Sequence, residues 1–236
     1  MIQHVCICER GCRRPLNQDR AGGWTSGDQG LFFVADGIGG HYSGETASQA
    51  IADALAGWWN SGPRTMSLPA VQQQLQSLVQ SCHSRIRQVT PPGQQCGSTL
   101  VLLWLSGRTY TLLWSGDSRC YQTCRWHLLV RTLQMTVDDV VPATNTLEAD
   151  QGKLCRAVGV GRCLLSMRSG EIKRGSLFTL CSDGIYKYCP PERLHHHLAK
   201  ARRTTLLQSG ARNIEQDVLA SHAPDNYSLV LVRPAR

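Results

Sequence analysis

Four aspartates, Asp36, Asp117, Asp183 and Asp225, share one placement: each stands where an apolar run ends or begins. Residues 31–35 lead into Asp36-Gly37-Ile38, and residues 177–181 lead through Ser182 into Asp183-Gly184-Ile185. Asp117 follows the run 110–114, and Asp225 precedes the run 227–232. Carboxylates delivered on strand ends suit a hard-cation site, because Mg²⁺, Mn²⁺ and Ca²⁺ prefer oxygen ligands. One Asp-Gly pair is an ordinary turn signal. Four such acids, two of them in matched Asp-Gly-Ile settings, point to a metal cluster. The glycines after Asp36 do not make a nucleotide loop. A dinucleotide fingerprint starting at Gly37 needs a glycine where Tyr42 stands. A P-loop running from Gly39 to Gly44 needs lysine where Glu45 stands.

Strands must carry these acids, and the apolar pattern supplies them. Strands are expected at 2–8, 99–105, 110–114, 120–123, 126–130, 177–181 and 227–232, with a hairpin turn at 106–108. Residues 11–20 read as a polar loop. Ala47, Ala50, Ile51, Ala54, Leu55 and Trp58 recur at helical spacing, so a helix opens near 43–45. A second follows Ser67, with its stripe on Val71, Leu75, Leu78, Val79, Cys82 and Ile86. Two more helical patterns cover 191–200 and 204–220. A helix pair, then strands joined by hairpins, then another helix pair indicates α+β with mainly antiparallel sheets. In such sheets the end of one strand neighbours the start of the next, so Asp225 can converge with the other three acids. No linker or repeat divides the chain, and 1–236 is expected to form one domain. The polar stretch 134–155 reads as a loop or short flap carrying a surface acid pair, Asp138-Asp139. His195, His196 and His197 are expected to face solvent.

The 236 residues allow a sizeable core, and 42% hydrophobic with 18% charged residues is ordinary for a globular chain. No run approaches the ~18–20 apolar residues that span a bilayer. The N-terminus lacks a signal-peptide core, so the chain is expected to be cytoplasmic. Its 11 cysteines, among them Cys6, Cys8, Cys163 and Cys181 inside apolar runs, then read as small buried hydrophobes in a reducing compartment. Neither Cys6, Cys8 and Cys12 nor Cys120 and Cys124 has the paired spacing of a structural zinc site. The net charge of +8 is spread along the chain without a basic helix or an aromatic RNA-binding signature. Phosphate-bearing substrates fit that charge, and nucleic acid is not expected as a partner.

The motifs RPLNQD, VADGIGGH, GST, SGDSR, RAVGV, CSDGI and PDN occur in that order across 14–226. In this the chain resembles the metal-dependent Ser/Thr protein phosphatases of the type 2C (PPM) family, and its compact bacterial members most. The resemblance implies a four-layer αββα sandwich, two central antiparallel β-sheets flanked by helix pairs. It implies that Asp36 bridges two Mg²⁺ or Mn²⁺ ions, that Gly37 lends its carbonyl, and that Asp183 and Asp225 complete the pair. Asp117 matches the position that with Asp183 holds a third ion. Arg14 matches the arginine that grips the substrate phosphoryl group, and Asp19 the acid that orients water at the metals. Two departures stand out: Gln18 where the family often has Glu, and Ile38 where many eukaryotic relatives have a histidine proposed as general acid. His41 lies close by in the GGH segment.

The function implied is hydrolysis of phosphoserine and phosphothreonine monoesters in proteins by a metal-activated water. The chemistry suits these residues: two cations activate water and stabilise both oxygens of an in-line displacement, and a guanidinium matches the phosphoryl oxygens. Alternatives are a metal-binding regulatory module whose catalysis has lapsed, motivated by Gln18, and a phosphatase of a small phosphoester. The implied partners are phosphorylated proteins and an opposing Ser/Thr kinase, in some relatives attached to a secretion system.

Overall fold

The computed structural model describes residues 1–39, 43–62, 66–141, 154–203 and 206–235. His41 and most of the 134–155 flap therefore lie outside the described residues. Eleven strands and five helices follow one another as β1 (Gln3–Glu9), β2 (Asp19–Ser26), β3 (Gln29–Ile38), α1 (Ser43–Asn60), α2 (Leu68–Val89), β4 (Gly97–Ser98), β5 (Leu100–Ser106), β6 (Thr109–Ser115), β7 (Arg119–Trp126), β8 (Leu129–Gln134), β9 (Ser166–Glu171), β10 (Leu177–Cys181), α3 (Asp183–Tyr186), α4 (Pro191–Ala201), α5 (Leu207–Ala220) and β11 (Tyr227–Arg233). One sheet has the order β1-β11-β10-β7-β8 and the other β2-β3-β5-β6-β9, with β4 paired to β3. All named pairings are antiparallel.

Strand periodicity sorts the core into three apolar layers, and three layers require four layers of backbone. Leu31, Phe33 and Ala35 of β3 point with Leu100, Leu102 and Trp104 of β5 toward α1 and α2. Their neighbours Phe32, Val34, Val101, Leu103 and Leu105 point the other way, against Phe178, Leu180, Val230 and Val232 of the facing sheet. Leu177, Cys181, Leu229 and Leu231 then meet Leu194, Leu198, Ala211, Ile214 and Val218 of α4 and α5. The α+β sandwich expected from the motifs is the one found. Burial on both faces also explains why the central strands read as unbroken apolar runs, although antiparallel strands often alternate. Among the described residues no helix is long and apolar enough to cross a membrane.

Several local expectations need correction. Asp19 is not in a loop: it opens β2, an edge strand that pairs with β3 in full register, Asp19 opposite Asp36. The signal was weak because β2 carries Gly22 and Gly23 in place of apolar residues. Gly23 is required there, since a Cβ on it would lie 2.2 Å from the ring of the buried Phe32. Strand β9 went unread for a similar reason, its residues being mostly exposed. The strand expected at 126–130 is broken by a hairpin turn: Trp126 ends β7, His127 has φ 53°, and β8 starts at Leu129. Cys6 is exposed on the edge strand β1, and Cys8 and Cys163 are half-buried, whereas Cys181 is buried as expected. The histidines do not all face solvent. His195 Nδ1 lies 2.9 Å from Thr132 Oγ1, and His197 Nε2 lies 2.9 Å from Asp217 Oδ2.

Asp217 ties α5 to α4. Its carboxylate accepts from Arg193 through both oxygens, with the Nε bond at 2.8 Å, and sits beside His197 and Cys189. The Arg193 hydrogen bonds hold it below the usual carboxylate range, against an opposing effect of burial, and His197 adds to the lowering. A lowered carboxylate contributes stability that is complete above its unfolded value of about 3.9 and is lost as pH falls through the lower folded value. The melting temperature of the wild type is therefore expected to fall more steeply below about pH 4 than that of Asp217→Asn. Parallel melting curves for the two proteins across the acid range would contradict this.

Candidate active site

The carboxylates meet at one end of the sandwich, in a cleft of ≈ 240 Å³ lined by Arg14, Gln18, Asp36, Gly37, Asp117, Asp183, Asp225 and Asn226, among others. Each acid is set by its backbone. Asp36 lies within β3, where its N–H donates to Thr99 Oγ1 (3.0 Å) and its carbonyl accepts from the Thr99 N–H (2.8 Å) and Ser98 Oγ (3.0 Å). The Gly-Ser-Thr motif is thus the clamp behind Asp36. Gly97 leaves room for Val158 and Val160, and Ser98 exchanges backbone hydrogen bonds with Val158 (2.8 and 2.9 Å). That contact accounts for the Arg-Ala-Val-Gly-Val motif.

Gly37 is fixed from two sides. Its N–H donates to the Gln18 carbonyl at 3.2 Å, and a Cβ on it would meet the Gly44 carbonyl oxygen at 2.3 Å. Strand end and helix start therefore touch backbone to backbone. Asp183 opens α3, and a Cβ on the next residue, Gly184, would meet the Asn226 carbonyl at 2.0 Å. Only glycine tolerates such approaches without a shift of the chain.

Asp117 occupies the turn between β6 and β7. Asp139 holds that turn, accepting the Gly116 N–H at 3.0 Å through Oδ2 while its own N–H donates to the Gly116 carbonyl at 3.0 Å. Arg156 pairs with the same carboxylate, which is only 2% exposed. Asp138 binds Arg119, whose guanidinium lies 3.6 Å from the centroid of Tyr186. Tyr186 in turn donates to Asp117 Oδ2 at 3.3 Å. The Asp138-Asp139 pair is therefore no plain surface feature but the mount of the Asp117 turn.

Asp19 is fully buried; Ser182 Oγ donates to its Oδ2 at 2.8 Å, and Oδ1 has no hydrogen-bond partner among the described residues. Arg14 reaches the cleft as a fork on Asp225, with Nε at 2.7 Å from Oδ1 and Nη2 at 2.8 Å from Oδ2. Lys187 donates to Asp183 Oδ2 at 2.7 Å. Sequence reasoning missed Lys187, Ser182 and Asn226. Asn226 binds three separate backbone groups: Nδ2 donates to the carbonyls of Arg10 (2.7 Å) and Leu16 (2.9 Å), and Oδ1 accepts the Gln18 N–H (2.9 Å). The Pro-Asp-Asn motif held the signal, read there only for its acid.

The electrostatics are those of an under-compensated anionic cluster. Burial pushes Asp36 well above the ordinary carboxylate range, and the charges of Asp19, Asp183, Asp117 and Asp225 push it further. Burial likewise raises Asp19 to about 6, against the neighbouring hydroxyls of Ser228 and Ser182, which lower it. Asp117 is raised by burial and then by Asp183. As the side chains stand, with Asp225 turned onto Arg14 and Asp183 onto Lys187, no three candidate ligand side chains among the described residues are close enough to hold an ion. The donor set nonetheless fits a hard cation. It is all oxygen, it carries a buried unpartnered oxygen on Asp19, and its mutual repulsion is what a divalent ion relieves.

The sequence profile of the protein phosphatase 2C family matches residues 13–221, and the chain belongs to that family. It is 27% identical over 241 residues to the serine/threonine protein phosphatase PstP of Mycobacterium tuberculosis, an alignment covering 98% of this chain and 45% of PstP. The chain thus spans less than half the length of that relative. With the serine/threonine phosphatase stp of Listeria monocytogenes it shares 27% identity over 215 residues, covering 83% of this chain and 82% of the other. Among solved structures, PppA, described as a key regulatory component of T6SS in Pseudomonas aeruginosa, superposes with a TM-score of 0.83 at 29% identity, covering 99% of this chain and 98% of PppA. The catalytic domain of PstP, solved in complex with two manganese ions, shares the fold with a TM-score of 0.77 at 24% identity, covering 100% of this chain and 99% of that one.

Proposed function

We propose that this chain is a Mg²⁺- or Mn²⁺-dependent protein phosphatase that hydrolyses phosphoserine and phosphothreonine monoesters. Membership of the protein phosphatase 2C family supports the reading. The observation that carries it is the convergence of Asp36, Asp117, Asp183 and Asp225, from separate strands and turns, on one cleft that Arg14 also lines, with Asp19 buried behind Asp36. In this proposal Asp36, the Gly37 carbonyl, Asp183 and Asp225 would hold two ions, and Asp117 with Asp183 would hold a third. Bound metal supplies a nucleophile from water at neutral pH and offsets the charge of the phosphoryl group.

The remaining work falls to side chains of the chain. Ser182 pins one oxygen of Asp19, and Oδ1, buried on the strand pair beside Asp36, would orient a water at the metals. The fork with which Arg14 grips Asp225 is the geometry that matches a phosphoryl group, so carboxylate and substrate compete for one guanidinium. Lys187 answers the charge of Asp183 in the same way. Gln18 serves through its backbone: the N–H binds Asn226, and the carbonyl accepts from Gly37 and from Ser48 Oγ at 2.6 Å. Its missing side-chain charge is therefore a weak motive for a lapsed enzyme. Phosphorylated proteins are the proposed substrates, set against an opposing Ser/Thr kinase. The description of PppA supports a secretion-system setting.

Phosphate release from a phosphothreonine peptide is expected to require Mg²⁺ or Mn²⁺, to stop on chelation and to exceed release from a phosphotyrosine peptide. Full activity after exhaustive chelation, with no metal by elemental analysis, would overturn the metal-dependent reading. Equal rates on both peptides would overturn the substrate class.

A further inference from the structure

The end of the sandwich opposite the acidic cleft carries the reverse charge. Strands β10 and β11 connect the two ends: Asp183 and Asp225 flank them at the cleft, while Leu177 and Arg233 stand at the far end. There a basin of ≈ 530 Å³ is lined by Arg108, Lys173, Arg174, Arg202, Arg203 and Arg233, with no Asp or Glu in its lining. Asp28 stands at its edge, near Gly107. Among the described residues, Arg108, Lys173, Arg174, Arg202 and Arg203 make no ion pair. Arg202 Nη1 reaches only the Gly175 carbonyl, at 3.3 Å, and its Nε is buried without a partner. Arg108, Lys173, Arg174, Arg202 and Arg203, gathered in a basin with no acid in its lining, repel one another, which an anionic ligand would reverse.

Beside the basin projects the β7–β8 hairpin. β10 begins opposite Thr123, while β7 continues to Trp126 before turning, so the tip stands about 10 Å beyond the neighbouring strand. That tip exposes apolar side chains, Leu128 at 85%, Leu129 at 62% and Trp126 at 43%, beside the exposed Arg125 and His127. Lys173 joins the two features, its Nζ 3.6 Å from the centroid of the Trp126 ring. Arg233, next after the Val232–Phe178 pair, lies level with the start of β10 and therefore behind the tip. The exposed Leu128 and Leu129 stand at the tip, with Lys173 beside Trp126 and Arg233 behind.

We propose that this end of the molecule docks on an anionic lipid surface, with Trp126, Leu128 and Leu129 entering the headgroup region and the basin cations meeting lipid phosphates. The layering is that of a bilayer interface, where apolar groups reach the acyl boundary and basic groups stay at the anionic headgroups. A nucleic acid would need an open aromatic face to stack on, and Lys173 covers that of Trp126. A second copy of the chain would set cations against cations. Docking in this way turns the acidic cleft away from the membrane, so the surface adds a location without covering the site.

Cosedimentation with phosphatidylcholine vesicles, with and without phosphatidylglycerol, tests the proposal. The chain is expected to bind only the anionic vesicles, less tightly as salt rises. Arg174→Glu and Arg203→Glu should each weaken binding about fivefold or more. Leu128→Asp combined with Leu129→Asp should abolish it while melting temperature and activity on a soluble phosphopeptide stay unchanged. Tryptophan emission should shift to the blue on binding, and Trp126→Phe should remove the shift. Absence of binding to anionic vesicles would overturn the proposal. So would binding that survives the double leucine variant, or a soluble acidic peptide held at the basin by a chain that ignores the vesicles.

Discussion

Asp36→Ala is expected to lower phosphatase turnover by more than about 100-fold while leaving the fold intact. Removing a residue that merely supports a metal ligand costs about 10–100-fold, and removing a carboxylate that would hold the ions directly should cost more. Folding should survive because the backbone at this position is held by Thr99, Ser98 and the β2 pairing, none of which uses the Asp36 carboxylate. Burial and four neighbouring acids already oppose ionisation of that carboxyl. Its removal should therefore raise the melting temperature in chelator, an exchange of stability for function common at active sites. Arg14→Ala, by contrast, should act chiefly on KM, since a guanidinium that grips the phosphoryl group binds ground and transition states alike. Turnover by Asp36→Ala above about a tenth of wild type would remove Asp36 from the centre of the mechanism.

Asn226→Ala is expected to cost about 3 kcal/mol or more of stability, together with most activity. Its amide serves the carbonyls of Arg10 and Leu16 and the N–H of Gln18. A buried polar group left without a partner costs about 1–3 kcal/mol, and three would be stranded together. The same change loosens the segment carrying Asp19, so the loss of rate should exceed what reduced folding explains at low temperature. Asn226→Asp is no remedy. It keeps the acceptor, gives up both donations and sets a second carboxylate beside Asp225. A urea midpoint within error of wild type for Asn226→Ala would show that water replaces the amide and that the clasp is dispensable.

What could be read in advance followed from locality. Asp36 and Asp183 announced themselves because a two-sided apolar strand ends in an acid and a glycine, all within ten consecutive residues of sequence. The helices α1 and α2 were equally legible, since one buried stripe repeats through each. Strand β2 was not, because its pattern answers to the ring of Phe32 and not to its own hydrophobicity. Asn226 and Ser182 stayed hidden because their partners lie far away in the chain: Asn226 spans 216 residues to Arg10, and Ser182 spans 163 to Asp19. Lys187 was overlooked for the opposite reason. One turn of helix from Asp183, it resembles any exposed helical lysine until the cleft beside it is seen. The family motifs pointed to Asp19 and Arg14, which spacing alone did not single out.

The insertion of β11 between β1 and β10 has a consequence for biosynthesis. Asp225 meets Arg14 across 211 residues, and nearly the whole chain must be made before the two can touch. Ribosomes extend a chain by roughly 5–20 residues per second. For several seconds, therefore, a nascent chain holds Asp19, Asp36 and Asp117, then Asp183, without Asp225 or the strand that places it. A chain stopped before Asp225 lacks both an interior strand of one sheet and a member of the acidic cluster. Such a fragment is expected to be inactive, which a phosphatase assay on a chain truncated before Asp225 would check.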